Sequence, residues 1–597
     1  MGAIAVILAI CLGAAASEGL AAGPAGPPTM PISAVRAGMT GYGLTVLHGT
    51  TIQRFDVKIL GILHGGPTDL VLFRAGGPAI QEAGGNAAGM SGSPIYIGGR
   101  MLGALSYGYE FPGPDADLSL ATPIEAMLKV LGAPAGVGAS PTSGMYQADR
   151  PIAAPDGRRI SRVLVMNSAA DAAVYNAHPL PGLAAFAPAA MSLFASGVTP
   201  AAFQVLSRAL RRFNVSPRQQ YAGSASFAAP PLQPGSSLGV ELVRGDAEMG
   251  GIGTVTYRRG DQILAFGHPM LNAGSASMML TTAYIDTIVR SLNEPFKEGS
   301  IGGLVGMISQ DRGVGIAGTV GQFPRTFGVR VQVRNADTGK TQSYGAQVVR
   351  RPDLAEAFVP TTALSLIQRA MDQVAGGSAQ VSISLRARDV PDAIVREDLA
   401  YDIGDIATAS ALDVPGATQL LFGNFFQSID PIDMTITITV TSRADTALLV
   451  SARPSTREVR PGDTMRVAVA VRPYGESEDL SRVVQFTVPR TFPTGPAFLL
   501  VGTAGTLNNG TGASPAEVFQ ALVGQEGTPT GTASLEEAVA QFEDAGKNTE
   551  VLVELVPEAV LAAVGSNANP DVETPAGTTV PTQWVVLGKF QIPVTVR

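Results

Sequence analysis

Between Pro31 and Leu131 the chain is cut into apolar runs of four to six residues by glycine turns: Gly43-Leu-Thr-Val-Leu47, Phe55-Asp-Val-Lys-Ile-Leu60, Asp69-Leu-Val-Leu-Phe73, Pro94-Ile-Tyr-Ile97 and Met101-Leu-Gly-Ala-Leu105. Runs this short do not build core helices. Spacing this tight leaves no room for the crossover helices that parallel strands require, so the stretch predicts an antiparallel sheet or a small barrel. Glycine and proline supply 70 and 43 of the 597 residues, enough for such turns along the whole chain. Residues 123–131 then read as a short closing helix with Pro123 near its first turn.

At ~150 residues per domain, the length predicts three to four domains. A mainly β chain is expected. Residues 31–131 form a first β-rich block, and residues 132–234 an Ala- and Pro-rich helical linker or insert, with helices over Ala187–Ser196 and Pro200–Phe213. A second β-rich block at 235–350 contains Ser237–Val243, Gly253–Tyr257, Gln262–Phe266 and Phe327–Val333, and fits a second barrel of similar size. Residues 351–430 read as a mixed α/β connector with a helix over Thr361–Val374. In 431–597, Met434–Val440 and Met465–Val471 alternate with period two and flank the turn Pro461-Gly462-Asp463, the pattern of half-buried strands in a β-sandwich-like region. A helix over Ser534–Ala545 and a strand at Trp584–Leu587 complete it. No repeat of fixed period is present, which excludes solenoids and propellers.

Hydrophobic residues make up 45% of the chain and charged residues 15%, so there is ample apolar surface to bury. A net charge of -8 without clusters of Lys and Arg excludes a broad nucleic-acid footprint. Residues 1–22 read as a secretory signal peptide: the apolar run Ala3–Leu12 is followed by Ala14-Ala15-Ala16, the small-residue form of a cleavage site, although no Lys or Arg precedes Arg36. That run falls short of the ~20 residues a membrane span needs, and no other stretch resembles a span. The expected location is outside the cytoplasm: periplasm, cell envelope or extracellular space. Cys11, the sole cysteine, lies inside this leader, so the mature chain offers no disulfide and no thiolate. There is no His-Glu-x-x-His motif and no phosphate-binding Gly-x-x-x-x-Gly-Lys-Ser/Thr loop, and Gly250-Gly-Ile-Gly253 opens a strand instead of a dinucleotide-binding helix. No metal or cofactor is expected. Asp115 and Asp117 lie in a Gly-Pro loop and read as solvated.

The strongest local signal is Gly89-Met90-Ser91-Gly92-Ser93-Pro94, placed just before an apolar strand. Glycines on both sides of Ser91 permit a sharp turn that exposes a hydroxyl and aims backbone N–H groups, those of Gly89 and Ser91, at a developing oxyanion. Taken alone, the hexapeptide reads equally well as an ordinary Gly-Ser hairpin turn. A serine nucleophile needs a nearby base, and the chain has only four histidines. His268, in Ala265-Phe-Gly-His-Pro-Met270, ends an apolar strand where a side chain can project into a cleft. His48 and His64 sit in turns, and His178 in the Ala-rich segment.

The run Gly89–Ile95, with Phe55-Asp-Val-Lys-Ile59 and Gly251-Ile-Gly-Thr-Val-Thr-Tyr257 through His268, resembles the peptidase domain of the SpoIVB family. The resemblance implies a serine-type endopeptidase acting on protein or peptide substrates, with Ser91 as nucleophile, His268 as general base and Ser93 as the alternative nucleophile. The implied fold is a two-block, chymotrypsin-like β-barrel core. Here the serine block precedes the histidine block, a permuted order that a geometrically defined site tolerates. The family's aspartate would fall near Gly76-Gly77-Pro78, where no acid stands, which leaves Asp311 as the leading substitute ahead of Asp286 and Asp69. No PDZ domain is recognisable. Residues Asp117–Pro123 are expected to line the substrate cleft. The missing aspartate motivates a second reading, a catalytically inactive peptidase-fold envelope protein that binds protein or glycan. The oligomeric state is not legible.

Overall fold

The computed structural model describes residues 26–597 except 110–116, 134–142, 154–157, 189–192, 214, 216, 221–229, 291–294, 373–374, 506–513, 524–532 and 564–575. The signal-peptide expectation, Cys11 and Asp115 therefore fall outside the described residues. Among the described residues the fold is mainly β, in four sheets.

Six strands of the first sheet close on themselves. In spatial order they are Thr40–Val46, Pro94–Ile97, Arg100–Tyr109, Leu118–Pro123, Leu70–Gly76 and Ile52–His64, and the last pairs back onto the first from Thr40↔Lys58 to Val46↔Ile52. Every pairing in this ring is antiparallel. Ile52–His64 shows the period-two burial of a barrel wall, with Phe55, Val57 and Ile59 inside. Arg100–Tyr109, by contrast, is buried at every position but the first. Its two faces serve two cores, for Leu102 and Leu105 fill the ring while Met101 and Ala104 pack with Tyr257, Leu264 and Ala317 of the second sheet.

A second ring follows the same plan. Glu248–Arg259, Gln262–Ala265, Gly315–Val320, Phe296–Arg312, Gly274–Val289 and Ser237–Gly245 lie in that order, and the last pairs back onto the first, again all antiparallel. The apolar seam between the rings, with Ile124 and Met127 added from the closing helix Ile124–Leu128, sets their relative position. Each fully buried large side chain there contributes ~1.5–3 kcal/mol.

Among the described residues of 132–234, the helices Ala169–Ala177 and Pro200–Ala209 are joined by five strands, so the span is not a purely helical linker. Gly144–Ala153, Arg159–Val165 and Leu183–Pro188 extend the first sheet, while Leu193–Ser196 and Pro217–Gln219 extend the second. The expected helix over Ala187–Ser196 is replaced by the end of one strand and the whole of another. Alanine favours helix locally, but Ala187 and Ala195 are fully buried in strands paired with Arg100–Tyr109 and Glu248–Arg259, where small side chains permit close packing and tertiary contact overrides propensity. The expected helix at Pro200–Phe213 is present as Pro200–Ala209 with a 3-10 turn to Phe213.

The 351–431 boundaries also shift. The second sheet continues from Ser237–Gly245 through Thr341–Val349, Thr326–Asn335, Pro431–Thr441, Gly377–Ala387 and Ile394–Asp402. The helix Pro352–Met371 lies over it, and one continuous core joins them. The alternating strand at Met434–Val440 therefore belongs here, parallel to Thr326–Asn335 and antiparallel to Gly377–Ala387, and not in the sandwich. The sandwich itself pairs a four-stranded with a five-stranded sheet between Thr446 and Val596. The helix expected at Ser534–Ala545 spans Leu535–Asp544 and packs back onto the large core through Ala538 and Phe542. Among the described residues no helix is long and apolar enough to cross a membrane.

Candidate functional site

The two rings meet at Ser91 and His268. The serine loop leaves the short helix Pro78–Ala83 and enters the strand Pro94–Ile97 through a turn fixed on both sides. Ser93 N–H and Ser93 Oγ both donate to Met90 O, at 2.9 and 2.6 Å, and Gly92 N–H donates to Leu105 O at 2.8 Å. From the other ring, Thr254 N–H donates to Ser91 O at 2.8 Å, Thr254 Oγ1 to Gly89 O at 3.0 Å and Thr256 Oγ1 to Gly92 O at 2.7 Å. Gly92 is obligatory on two counts: its φ is +93°, and a Cβ there would lie 2.0 Å from Thr254 O.

His268 is presented by an equally constrained bend. Gly267 N–H donates to Ala265 O at 2.9 Å around Phe266, whose φ of 70° makes this the strained form of the γ-turn. The strain is held by the wholly buried Phe266 ring, which occupies the space over Gly253 where a Cβ would approach Cε1 to 2.0 Å. Thr122 Oγ1 donates to Gly267 O at 2.6 Å. The expected cleft-lining stretch Asp117–Pro123 is thus mostly a buried strand that anchors the histidine bend, and Asp117 is engaged by Arg74 at 2.5 Å.

Ser91 Oγ lies 2.8 Å from His268 Nε2, and His268 Nδ1 lies 2.7 Å from Pro269 O. A carbonyl only accepts, so Nδ1 carries the proton of the neutral ring and Nε2 is left to accept the Ser91 hydroxyl proton. Burial pulls His268 down to about 4, a shift the Pro269 carbonyl only partly opposes. Near neutral pH the ring is therefore an unprotonated base already in contact with the hydroxyl. Ser91 and His268 are 2% and 1% exposed, so the pair is closed to bulk water.

The other expected residues fall as follows. Asp311 is not hydrogen-bonded to His268: its Oδ1 accepts from Met270 N–H at 2.7 Å, and its Oδ2 from Leu271 and Ala273 N–H at 2.8 and 3.1 Å. It is an anchor for the loop that follows the histidine, which corrects its expected part as orienting acid. Burial pushes its carboxyl up while the three amides pull it down. Asp286 accepts from Ser300 on an exposed strand, and Asp69 pairs with the exposed His64 at 3.0 Å. His48 pairs with Glu82 at 2.8 Å, and His178 is an exposed helix cap. Ser93 is buried, with its hydroxyl on Met90 O.

Sequence reasoning gave no individual role to Thr122 or Thr254, although both stand in segments it singled out, and missed the 4%-exposed Lys297, which stands in none. Period-two burial in Phe296–Arg312 puts Lys297 on the same face as Gly299, but its amine is held by Thr45 of the first ring together with Thr254 of the second. A cavity of about 80 Å³ adjoins the serine loop, lined by Gly89, Phe194, Arg218, Ile252, Phe296 and Lys297 among others. Among the described residues no group of three or more His, Cys, Asp or Glu side chains is placed to hold a metal ion. No protein-family model, curated protein or solved structure matches this chain.

Proposed function

We propose that this chain is an exported serine endopeptidase of the SpoIVB type, with a chymotrypsin-like core in permuted order. The observation that carries the reading is the Ser91 Oγ to His268 Nε2 contact of 2.8 Å between two six-stranded antiparallel rings. In the proposed reaction His268 Nε2 takes the Ser91 proton as Oγ attacks the substrate carbonyl, and the resulting oxyanion is received by the Gly89 and Ser91 N–H groups. His268 then returns the proton to the leaving amine, and water repeats the sequence to release the acyl group. The orientation of the donors supports this. Met90 O is held by Ser93, so in the trans peptide the Ser91 N–H points the opposite way. Export rests on the leader pattern of residues 1–22.

With Pro269 O in place of a carboxylate on Nδ1, the ring keeps the tautomer the reaction needs, but the imidazolium formed during attack gains only a dipole, so turnover slower than that of a full triad follows. The same absence, together with the burial of both residues, favours a second reading as a binding protein that retains the fold. Labelling of the purified protein by a fluorophosphonate separates the two. Labelling that is lost in Ser91→Ala and His268→Ala but kept in Ser93→Ala supports the peptidase. A well-folded protein that takes no label overturns it.

A further inference from the structure

Lys297 is a buried amine with no part in the proton transfers above. It sits at the start of the strand Phe296–Arg312 in the second ring, yet its main chain and stem touch the serine loop of the first ring and its amine reaches one strand of each ring. Its main-chain N–H donates to Ala88 O at 2.9 Å. Its aliphatic stem lies over Gly89, where a Cβ would meet Lys297 Cδ, Cβ and Cγ at 3.1–3.2 Å. Its amine donates to Thr45 Oγ1 at 2.9 Å and to Thr254 Oγ1 at 3.3 Å. Since Thr254 Oγ1 gives its one proton to Gly89 O at 3.0 Å, it faces Lys297 as an acceptor.

The consequence concerns the two peptide groups that flank Gly89. The Ala88–Gly89 unit is oriented through its carbonyl by Lys297 N–H, and in a trans peptide this turns the Gly89 N–H to the opposite side. The Gly89–Met90 unit is oriented through its carbonyl by Thr254 Oγ1, which the Lys297 amine in turn holds. Gly89 has a φ of +89° and no side chain of its own to restrain it, so an outside clamp is what keeps its N–H in one direction.

We propose that Lys297, acting through Thr254, is a positioning residue that aims the Gly89 N–H at the oxyanion formed when Ser91 attacks. The proposal rests on the serine-peptidase reading and adds to it a residue outside both motifs. The side-chain amine and the main-chain N–H divide the work, so removing the amine loosens the donor without dismantling the loop.

Saturation kinetics of fluorophosphonate labelling test this, because Ser91 Oγ would displace fluoride from phosphorus while the phosphoryl oxygen occupies the donor site. Lys297→Met, which keeps the stem, is expected to lower the maximal labelling rate about 10- to 100-fold with half-saturation within threefold of wild type, less than the loss of an oxyanion donor outright. Lys297→Arg should restore most of the rate. Thr254→Val should reproduce the loss and Thr254→Ser should not, and this pair carries the test should Lys297→Met fail to fold. A Lys297→Met and Thr254→Val double variant should lose no more than the larger single effect, as both act on one path. Wild-type labelling at Ser91 with maximal rates within threefold in both Lys297→Met and Thr254→Val overturns the positioning role alone. Absence of Ser91-dependent labelling in the wild type overturns the peptidase reading and this inference with it.

Discussion

Replacing Asp311 separates two parts it could play, because loop anchor and orienting acid respond differently to the same substitutions. Asp311→Ala removes the acceptor of three loop amides, that of Met270 buried and those of Leu271 and Ala273 half-buried. Each amide left without a partner costs ~1–2 kcal/mol, so the loop behind His268 loses roughly 3–6 kcal/mol, or ~10²–10⁴-fold in its opening equilibrium. Asp311→Asn is intermediate. Its remaining oxygen serves the Leu271 and Ala273 pair, and its new NH₂ group confronts the Met270 N–H, for a loss of about 1–3 kcal/mol. The assay is amide hydrogen exchange read by mass spectrometry over peptides covering 268–275, with the 446–596 sandwich as internal control. Protection should fall in the order wild type, Asn, Ala within that loop, and the labelling rate should fall alongside it. Were Asp311 instead the acid that orients His268, Asp311→Asn would keep the loop protected and depress the rate by ~10⁴-fold. That outcome would refute the anchor argument.

Three further outcomes follow from the same geometry. Burial lowers His268 from 6.5 to about 4, so between those values the unfolded chain binds a proton that the folded chain refuses. Stability is complete above about pH 6.5 and declines as pH falls toward 4, by at most roughly 3 kcal/mol, and His268→Gln should flatten that slope in thermal melts at pH 7.5 and 5. Gly92→Ala drives a Cβ to 2.0 Å from Thr254 O and should abolish soluble, labelled protein, whereas Gly98→Ala, with φ +57° and no atom within 4 Å, should cost only ~1–2 kcal/mol and stay folded by circular dichroism. Ser93→Ala removes one of two donors to Met90 O, so it should lose ~1 kcal/mol and keep its label; loss of labelling in that variant would instead make Ser93 the reactive hydroxyl.

Much of the strand content was legible because it is local chemistry. Phe55-Asp-Val-Lys-Ile alternates, and Phe55, Val57 and Ile59 do face the core. The turn around Ser91 was legible for a similar reason: only glycine accepts the backbone angles on either side of it. The alanine-rich stretch misled, since in the expected helix Ala187–Ser196 the described residues are strand, with Ala187 and Ala195 fully buried where neighbouring strands leave space only for a small side chain.

What the sequence determined by itself was therefore the β-rich character of two blocks, the sharp serine turn, and the short supply of histidine that singled out His268. The tertiary structure alone decided which groups meet. It brought Ser91 to 2.8 Å from a histidine 177 residues away, gave the histidine a carbonyl partner, turned Asp311 toward three amides, and moved Pro431–Thr441 into the second sheet. It also buried Lys297 against a ring formed by other strands. Glycine angles and apolar alternation are properties of neighbouring residues, whereas pairing, burial and hydrogen-bond choice depend on segments that come together only when the chain closes its sheets.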